Sequence, residues 1–379
     1  MEKNKVHLED VCKIVSGSTP KTGIPEYWNG DIKWITPAEI QENSFYIYDS
    51  VRHITPLGKE KTGLSYMPKG TVILSSRAPI GKTAIAGCEM CCNQGFKNLI
   101  CSDKIFNEYL YYFLKGKEKY LNSLGRGATF KEISKKIVED IEIPLPNIKE
   151  QKHIATVLGC IDRVISLRQQ QLAKLDELVK ARFVEMFASI SNKVNMEDVC
   201  KIITDGTHQP PKFTTEGIPF LFVSNIITNK ICYDAEKFIT EEVYTELVKR
   251  TPIEMGDVLL STVGSYGHPA VVKSERPFCF QRHIAYLKPD RDRINSEYLH
   301  SAILSDEVQR QIDERVKGIA QKTLNLSEIR KLQFPLPSIE KQNQFAAFVG
   351  QIDKSKISIK KSIEQTEILK RALMQQYFE

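Results

Sequence analysis

The sequence contains one unit twice, with its parts in the same order. Residues 8–14 return as residues 196–202, and the Pro-Leu-Pro at 144–146 returns at 335–337. Further matches lie between these two in the same order: 23–25 with 217–219, 69–75 with 255–261, and 108–110 with 297–299. An ordered series of this length predicts a duplicated fold whose two copies are related by an internal pseudo-two-fold axis.

The first part of each copy, residues 6–146 and 194–337, has a mixed pattern. Short β-branched runs predict strands, helical periodicity predicts helices, and Gly-, Asn- or Ser-rich segments are typical of turns. The Pro-Leu-Pro ends this part, because proline disfavours helix at the preceding residue. The segments are strands at 71–75 and 258–261, helices at 107–114 and 296–304, and turns at 28–31 and 265–267.

The second part of each copy, residues 148–188 and 339–379, contains no proline and one glycine. A 4-3 apolar spacing persists for more than four heptads, which is the signature of a coiled coil. In the first copy it continues to Arg182 and Met186. Each helix would be about 58 Å long at 1.5 Å per residue. The predicted packing residues are Ile154, Leu158, Ile161, Ile165, Leu172, Leu175, Val179, Phe345, Val349, Ile352, Ile359, Ile363 and Leu373.

These patterns together predict an α+β protein. Two mixed α/β domains are separated by two long helices, which the pseudo-two-fold relation makes an antiparallel coiled coil. The expected boundaries are 1–146 for the first domain, 147–190 for the central helix, 191–337 for the second domain and 338–379 for the C-terminal helix.

Composition limits the class of protein further. No apolar run is long enough to span a bilayer, and the N-terminus lacks a signal peptide, so a soluble, cytoplasmic protein is expected. The net charge of +6 permits a nucleic-acid partner without requiring one. Nine cysteines, an odd number, argue against a disulfide framework. The one dense group, at 88–101, lacks the paired spacing of a zinc site, and the alignment of Cys92 with Cys279 favours buried packing.

Two similar mixed domains held apart by two long helices suit a long, regular target such as duplex DNA. Because the two domains have diverged in sequence, we expect two different half-sites with an unread gap between them. Three loops in each copy are rich in residues that bind base edges and phosphates. Each such residue could equally be an ordinary solvated side chain. The candidates are Arg77, Lys82, Asn93, Gln94, Lys97, Arg126, Thr129 and Lys131 in the first copy, and Ser265, Tyr266, His268, Gln281, Arg282, His283 and Lys322 in the second.

No complete catalytic constellation is present in the sequence. Residues 81–83 read Gly-Lys-Thr, but Ser76 stands where a P-loop needs its first glycine. Residues 209–211 resemble an amino-methyltransferase motif only superficially, since Lys212 replaces the aromatic residue. The histidines lack the HExxH spacing, and no acidic pair with a lysine suggests a nuclease. We therefore expect no catalytic residue and no metal site.

In combination, several motifs make the chain resemble the specificity subunit of type I restriction-modification systems along essentially its whole length. The second copy departs from the family pattern at Lys341 and in the eroded loop at 318–321. The motifs are Gly-Ser-Thr-Pro at 17–20, Pro-Glu-Tyr-Trp at 25–28, Gly-Asp-Ile at 30–32, Trp-Ile at 34–35, Gly-Ala-Thr at 127–129, Ile-Pro-Leu-Pro at 143–146, Glu-Gln-Lys at 150–152, Ile-Ala at 154–155, Asp-Gly-Thr-His at 205–208, Phe-Pro-Leu-Pro at 334–337 and Gln342.

The resemblance implies a non-catalytic subunit that recognises DNA. Each mixed domain would be a target recognition domain that reads half of a bipartite, asymmetric double-stranded site. The helices would set the spacing and dock two modification subunits, which bind S-adenosylmethionine and methylate adenine. Restriction subunits would supply the ATP- and Mg-dependent translocase and nuclease, and this chain would bind no cofactor. The alternatives are a self-contained DNA methyltransferase and a coiled-coil scaffold that does not touch DNA.

Overall fold

The computed structural model describes residues 4–77, 79–127, 131–318 and 321–379. It consists of two units. Unit 1 comprises Met1–Gln169 and Lys361–Glu379, and unit 2 comprises Gln170–Lys360. Each unit therefore contains one mixed domain together with segments of both long helices.

Unit 1 is built on a five-stranded sheet, a three-stranded sheet and a two-stranded ribbon. Its strands are β1 (Lys5–His7), β2 (Cys12–Ser16), β3 (Trp28–Ile35), β4 (Tyr46–Ile47), β5 (Arg52–Ile54), β6 (Val72–Leu74), β7 (Thr83–Ala86), β8 (Cys91–Cys92), β9 (Lys97–Cys101) and β10 (Glu142–Pro144). Its helices are α1 (Leu8–Val11), α2 (Pro56–Thr62), α3 (Asn107–Gly116), α4 (Glu118–Ser123) and α5 (Lys135–Glu139), and the long helix α6 (Ile148–Phe187) begins here. The sheet orders are β2-β9-β6-β7-β4, β5-β3-β8 and β1-β10.

Unit 2 repeats this plan. Its strands are β11 (Lys193–Asn195), β12 (Cys200–Asp205), β13 (Ile218–Leu221), β14 (Phe238–Ile239), β15 (Val258–Ser261), β16 (Pro269–Val271), β17 (Cys279–Phe280), β18 (Ile284–Pro289) and β19 (Gln333–Pro335). Its helices are α7 (Glu241–Leu247), α8 (Ser296–Ile303), α9 (Asp306–Arg315) and α10 (Leu326–Arg330), and the long helix α11 (Ile339–Phe378) begins here. The order β12-β18-β15-β16 matches that of unit 1 without its edge strand β4, and β14-β13-β17 and β11-β19 match the smaller sheets.

The central strands are apolar on both faces because both faces are covered. Val72 and Leu74 of β6 pack toward α3, whereas Ile73 packs on the opposite side with Ile35 and Met90. Strand β15 shows the same alternation between two cores. Helix α3 is itself buried along six consecutive residues, which is the pattern of a helix covered on all sides. The predicted strands at 71–75 and 258–261 and helices at 107–114 and 296–304 are confirmed.

The predicted turn at 28–31 is wrong, because these residues are the irregular start of β3. Trp28 and Ile32 both pair with Ile54, so the intervening residues form a bulge. Asn29 has a φ of 62°, a left-handed conformation that asparagine tolerates better than most residues. The composition of a turn therefore marks a bulge within a strand.

A glycine in each copy permits a close backbone approach. A Cβ atom on Gly17 would lie 2.1 Å from the carbonyl oxygen of Asn93, and one on Gly206 would lie 2.2 Å from that of Phe280.

The pairing of strands β3 with β8 and β13 with β17 corrects the predicted alignment of the cysteines. Cys91 pairs with Trp34 as Cys279 pairs with Phe220, so Cys279 is equivalent to Cys91 rather than to Cys92. All three cysteines are buried, and no disulfide is formed among the described residues.

The long helices are 40 residues each and pair antiparallel within each unit. In unit 1 the end of α11 meets the domain from which α6 starts: the Phe378 ring lies 5.1 Å from that of Tyr109, and Lys370 pairs with Asp162. In unit 2 the end of α6 meets the start of α11, with the Phe183 and Phe345 rings 5.6 Å apart. Both helices begin one residue after the expected boundaries at 147 and 338.

The predicted packing residues differ in how deeply they are buried. Those up to Ile161 in α6 and up to Ile352 in α11 are buried, and those further along each helix are half-buried. At the end of α6 the buried residues are Phe183 and Phe187 instead of Arg182 and Met186. The buried residues are Ile154, Leu158, Ile161, Phe345, Val349 and Ile352; the half-buried ones are Ile165, Leu172, Leu175, Val179, Ile359, Ile363 and Leu373.

Candidate nucleic-acid interface

Three loops of unit 1 are joined by backbone hydrogen bonds. The Ser76 N–H donates to the carbonyl oxygen of Gly95 at 2.7 Å, which joins the loop after β6 to the loop before β9. The Ile133 N–H donates to the carbonyl oxygen of Ser76 at 2.9 Å, which joins the loop after α4 to the same point. The three candidate loops therefore form one surface, although they are far apart in the sequence.

Unit 2 repeats these bonds with different residues. The Thr262 N–H donates to His283 at 3.0 Å, and the Leu324 N–H donates to Thr262 at 2.8 Å. The loop after α9 is closed by mutual backbone bonds between Lys317 and Thr323, as its counterpart in unit 1 is closed between residues 126 and 132. The two units thus present different side chains on one backbone frame.

Glu132 joins the charged side chains of the unit 1 surface. Its Oε2 atom accepts from Nε of Arg77 at 2.9 Å, and its Oε1 atom accepts from Nζ of Lys97 at 3.1 Å. Lys97 is only 7% exposed. The expectation that Lys97 contacts DNA directly is therefore corrected, because its ammonium group is enclosed and paired with Glu132.

The other unit 1 candidates are placed as follows. Lys82 donates to the carbonyl oxygen of Ile40 at 2.8 Å, so its charge is tethered to the protein. The side-chain oxygen of Asn93 accepts from the Gly95 N–H at 2.9 Å and shapes the loop. Three candidates are exposed, and Thr129 lies outside the described residues. The exposed ones are Gln94, which accepts from Thr19, together with Arg126 and Lys131.

A polar cleft of about 450 Å³ lies on the unit 2 surface. Arg282 and His283 line it, and Nε of Arg282 donates to Nε2 of His283 at 3.3 Å. Burial and the neighbouring guanidinium lower the pKa of His283, which keeps its ring neutral and able to accept this bond. The other residues that line the cleft are Asp205, Thr262, Val263, Gln321, Thr323, Leu324, Asn325 and Leu326.

The remaining unit 2 candidates are not among the residues that line this cleft. The Tyr266 hydroxyl donates to Asp313 at 3.0 Å, and Lys322 lies over the same ring. His268 contacts Asn229 at 3.1 Å, and burial lowers its pKa. Ser265 and Lys322 are exposed, and Gln281 is half-buried.

The structure adds functional candidates that the sequence patterns did not single out. At the cleft, Asp205 binds His208 at 2.8 Å and Arg250 at 2.6 Å, and both partners are about half exposed. Arg250 lies far from the three loops in sequence, so no local pattern could have pointed to it. Glu132 was missed because a carboxylate does not itself suggest DNA binding, although its loop had been selected.

The two surfaces suit recognition of a polyanion by side chains that can also read bases. Arginine binds guanine edges, and asparagine or glutamine binds adenine edges. Among the described residues, no cluster of three His, Cys, Asp or Glu side chains could hold a metal ion. No helix in the described part of the chain has the length and apolar character needed to cross a membrane.

The surfaces and the duplicated frame define a protein with two related domains suited to DNA recognition. A family model described as the type I restriction modification DNA specificity domain matches twice, over residues 1–177 and 191–369. The chain therefore belongs to this family. The family expected from the motifs is confirmed, and the self-contained methyltransferase is not favoured.

Curated relatives agree with this assignment. The type I restriction enzyme MjaIX specificity subunit of Methanocaldococcus jannaschii is 29% identical over 394 residues, which cover 97% of this chain and 90% of the relative. The MjaVIII specificity subunit of the same organism is 24% identical, with the same two coverages. These relatives are matched over nearly their full lengths.

Two solved structures share the fold. The S subunit of a type I restriction-modification system from M. genitalium aligns with a TM-score of 0.58 at 16% identity, covering 100% of this chain and 96% of that one. A chain from a type I R-M system, studied for its complex assembly, aligns with a TM-score of 0.64 at 18% identity, covering 99% and 97%. The predicted α+β class, with two mixed domains and two long antiparallel helices, is confirmed.

Proposed function

We propose that this chain is the DNA-reading subunit of a type I restriction-modification complex and that each unit reads one half of a bipartite, asymmetric site. The observation that carries the proposal is the pair of loop surfaces on one backbone frame. Equivalent positions differ in chemistry: Gln94 corresponds to Arg282, and Lys97 to Ala285. Two frames with different side chains suit two different half-site sequences.

Exposed apolar residues on the long helices support docking of two modification subunits. Leu178 of α6 and Leu369 of α11 occupy equivalent positions in the repeat and are 47% and 52% exposed. An apolar side chain that recurs on otherwise charged helices suits a protein partner. Its presence once in each unit suits two copies of the same partner.

In this proposal the chain supplies sequence recognition and its partners supply the chemistry. Modification subunits bind S-adenosylmethionine, and restriction subunits use ATP and Mg. The chain itself binds no cofactor and has no catalytic residue. A DNA target also implies a cytoplasmic location.

The test is to co-express the chain with its modification subunits and to map adenine methylation across the host genome. We expect one asymmetric motif with two defined parts and an undefined gap. Methylation that does not depend on this chain, or a single uninterrupted motif, would contradict the proposal. The purified chain alone should not bind S-adenosylmethionine.

A second experiment tests the role of the helices in spacing. One heptad is inserted between Leu167 and Asp176, together with one in the facing stretch of α11. Because a heptad preserves the packing seam, the helices should still pair and the gap in the motif should lengthen. An unchanged gap in an active complex would show that the helices do not set the spacing.

A further inference from the structure

Two charged side chains of unit 1, Arg77 and Lys97, meet at the carboxylate of Glu132. Arg77 comes from the first loop, Lys97 follows the second, and Glu132 ends the third. Both carboxylate oxygens of Glu132 are used, one by each cation. The group therefore joins all three loops through side chains as well as through the backbone.

Glu132 is held in place on several sides. Its backbone exchanges two 3.0 Å hydrogen bonds with Arg126, and it forms a β-bridge with Arg77. Burial would raise the pKa of its carboxyl, but hydrogen bonds from Arg77 and Lys97 outweigh burial and lower it. The carboxylate thus stays ionised, and the enclosed Lys97 fixes its orientation.

This arrangement leaves one edge of the Arg77 guanidinium available. Nε is bound to Glu132, whereas the terminal amino groups have no partner among the described residues. The side chain is 45% exposed. Two parallel N–H groups on a fixed guanidinium match the O6 and N7 acceptors of guanine in the major groove. Holding Nε in advance also lowers the entropy lost when the arginine binds.

Unit 2 provides an internal comparison. The backbone bonds and bridges place Val263 at the position of Arg77, Ala285 at that of Lys97 and Thr323 at that of Glu132. All three charges are absent together, yet the three loops are joined in the same way. The charged group is therefore not needed to build the loop frame, and it serves a purpose particular to unit 1.

We propose that Arg77 binds a guanine in the half-site read by unit 1 and that Glu132 is the positioning residue that aims it. This inference rests on the function proposed above. Lys97 keeps Glu132 from cancelling the positive charge of Arg77, so the group retains one net positive charge toward the DNA. Glu132 acts through Arg77 and does not itself touch a base.

The test compares E132Q and R77Q with the wild-type chain, each co-expressed with the modification subunits. Methylation rates are measured on duplexes in which each base of the two half-sites is varied. Wild type should require guanine at one position of the first half-site. Each variant should lose about tenfold or more of that preference, because one bidentate contact supplies discrimination of this order. Preferences in the second half-site should not change.

Three measurements separate positioning from a merely structural role. E132Q removes a negative charge, so its binding to DNA without a site should be unchanged or tighter, whereas a damaged fold would weaken it. E132D should restore part of the guanine preference. T323V, at the equivalent position in unit 2, should leave the first half-site unaffected. Thermal melts establish that each variant is folded.

The inference is overturned by three results. They are a first half-site without a required guanine, folded E132Q and R77Q chains that keep the wild-type preference, and a lost preference that belongs to the second half-site. Failure of the proposed function is distinguishable from these, because then the wild-type chain would direct no bipartite methylation at all.

Discussion

A buried glutamine fixes the start of each long helix to its domain. The Gln151 side chain is fully buried in the first turns of α6. Its Oε1 atom accepts from the Phe106 N–H at 2.8 Å, and its Nε2 atom donates to the carbonyl oxygens of Lys104 at 3.0 Å and Pro146 at 2.8 Å. One side-chain amide thus satisfies three backbone groups that lie outside the strands and helices and so lack a partner in regular secondary structure.

The Q151L substitution keeps the volume but removes all three bonds. Each bond contributes about 1 kcal/mol net, and each buried group left unpaired costs about 1–3 kcal/mol. We therefore expect the free energy of unfolding of unit 1 to fall by about 3 kcal/mol or more. With a urea m-value of about 3 kcal/mol/M, the midpoint falls by about 1 M.

Tryptophan fluorescence reports this change selectively, since the only two tryptophans, Trp28 and Trp34, both lie in the core of unit 1. Q169L on the exposed face of the same helix is the matched control and should change the free energy by at most about 0.5 kcal/mol. A Q151L midpoint within about 0.2 M of wild type would refute the reasoning.

The remaining predictions concern packing, pH and assembly. F378A should lower the free energy of unfolding of unit 1 by about 3–5 kcal/mol in urea melts, because the ring is buried on Tyr109; a loss below about 1 kcal/mol would contradict this. The pKa of His283 is lowered on folding, so protonation favours the unfolded state, and stability should fall as the pH drops below about 6.5. H283Q should reduce the difference between midpoints at pH 7.5 and 5.5, as followed by circular dichroism; an unchanged difference would exclude His283 as a source. L178E with L369E should abolish co-purification with modification subunits at an unchanged melting temperature, whereas undiminished co-purification would place the docking surface elsewhere.

The repeat and the helices could be predicted because their signals are local and periodic. The match between residues 8–14 and 196–202 predicts two similar domains without any knowledge of their sheets. The 4-3 spacing likewise predicts both long helices. At the end of α6 the buried face shifts by one residue, because Phe187 packs on a domain as well as on the partner helix: its ring lies 4.9 Å from that of Tyr298 and 5.5 Å from that of Phe345.

The interface was predicted less completely because its geometry is non-local. Composition selected three candidate loops, but only the backbone bonds from Ser76 bring them together. Composition also could not distinguish the exposed Arg126 from the enclosed Lys97, since burial depends on strands that are distant in sequence. Glu132 and Arg250 gain their roles solely from the partners that the fold places beside them.

The most direct test of the account is whether each mixed domain reads its own half-site independently of the other. Residues 1–146 are exchanged for the matching region of another family member that has a different target, and the adenine methylation directed by the chimera is mapped. We predict that one half of the bipartite motif changes to that of the donor while the other half and the gap length stay the same. A change in both halves, or in neither, would contradict the claim that each domain reads its own half-site.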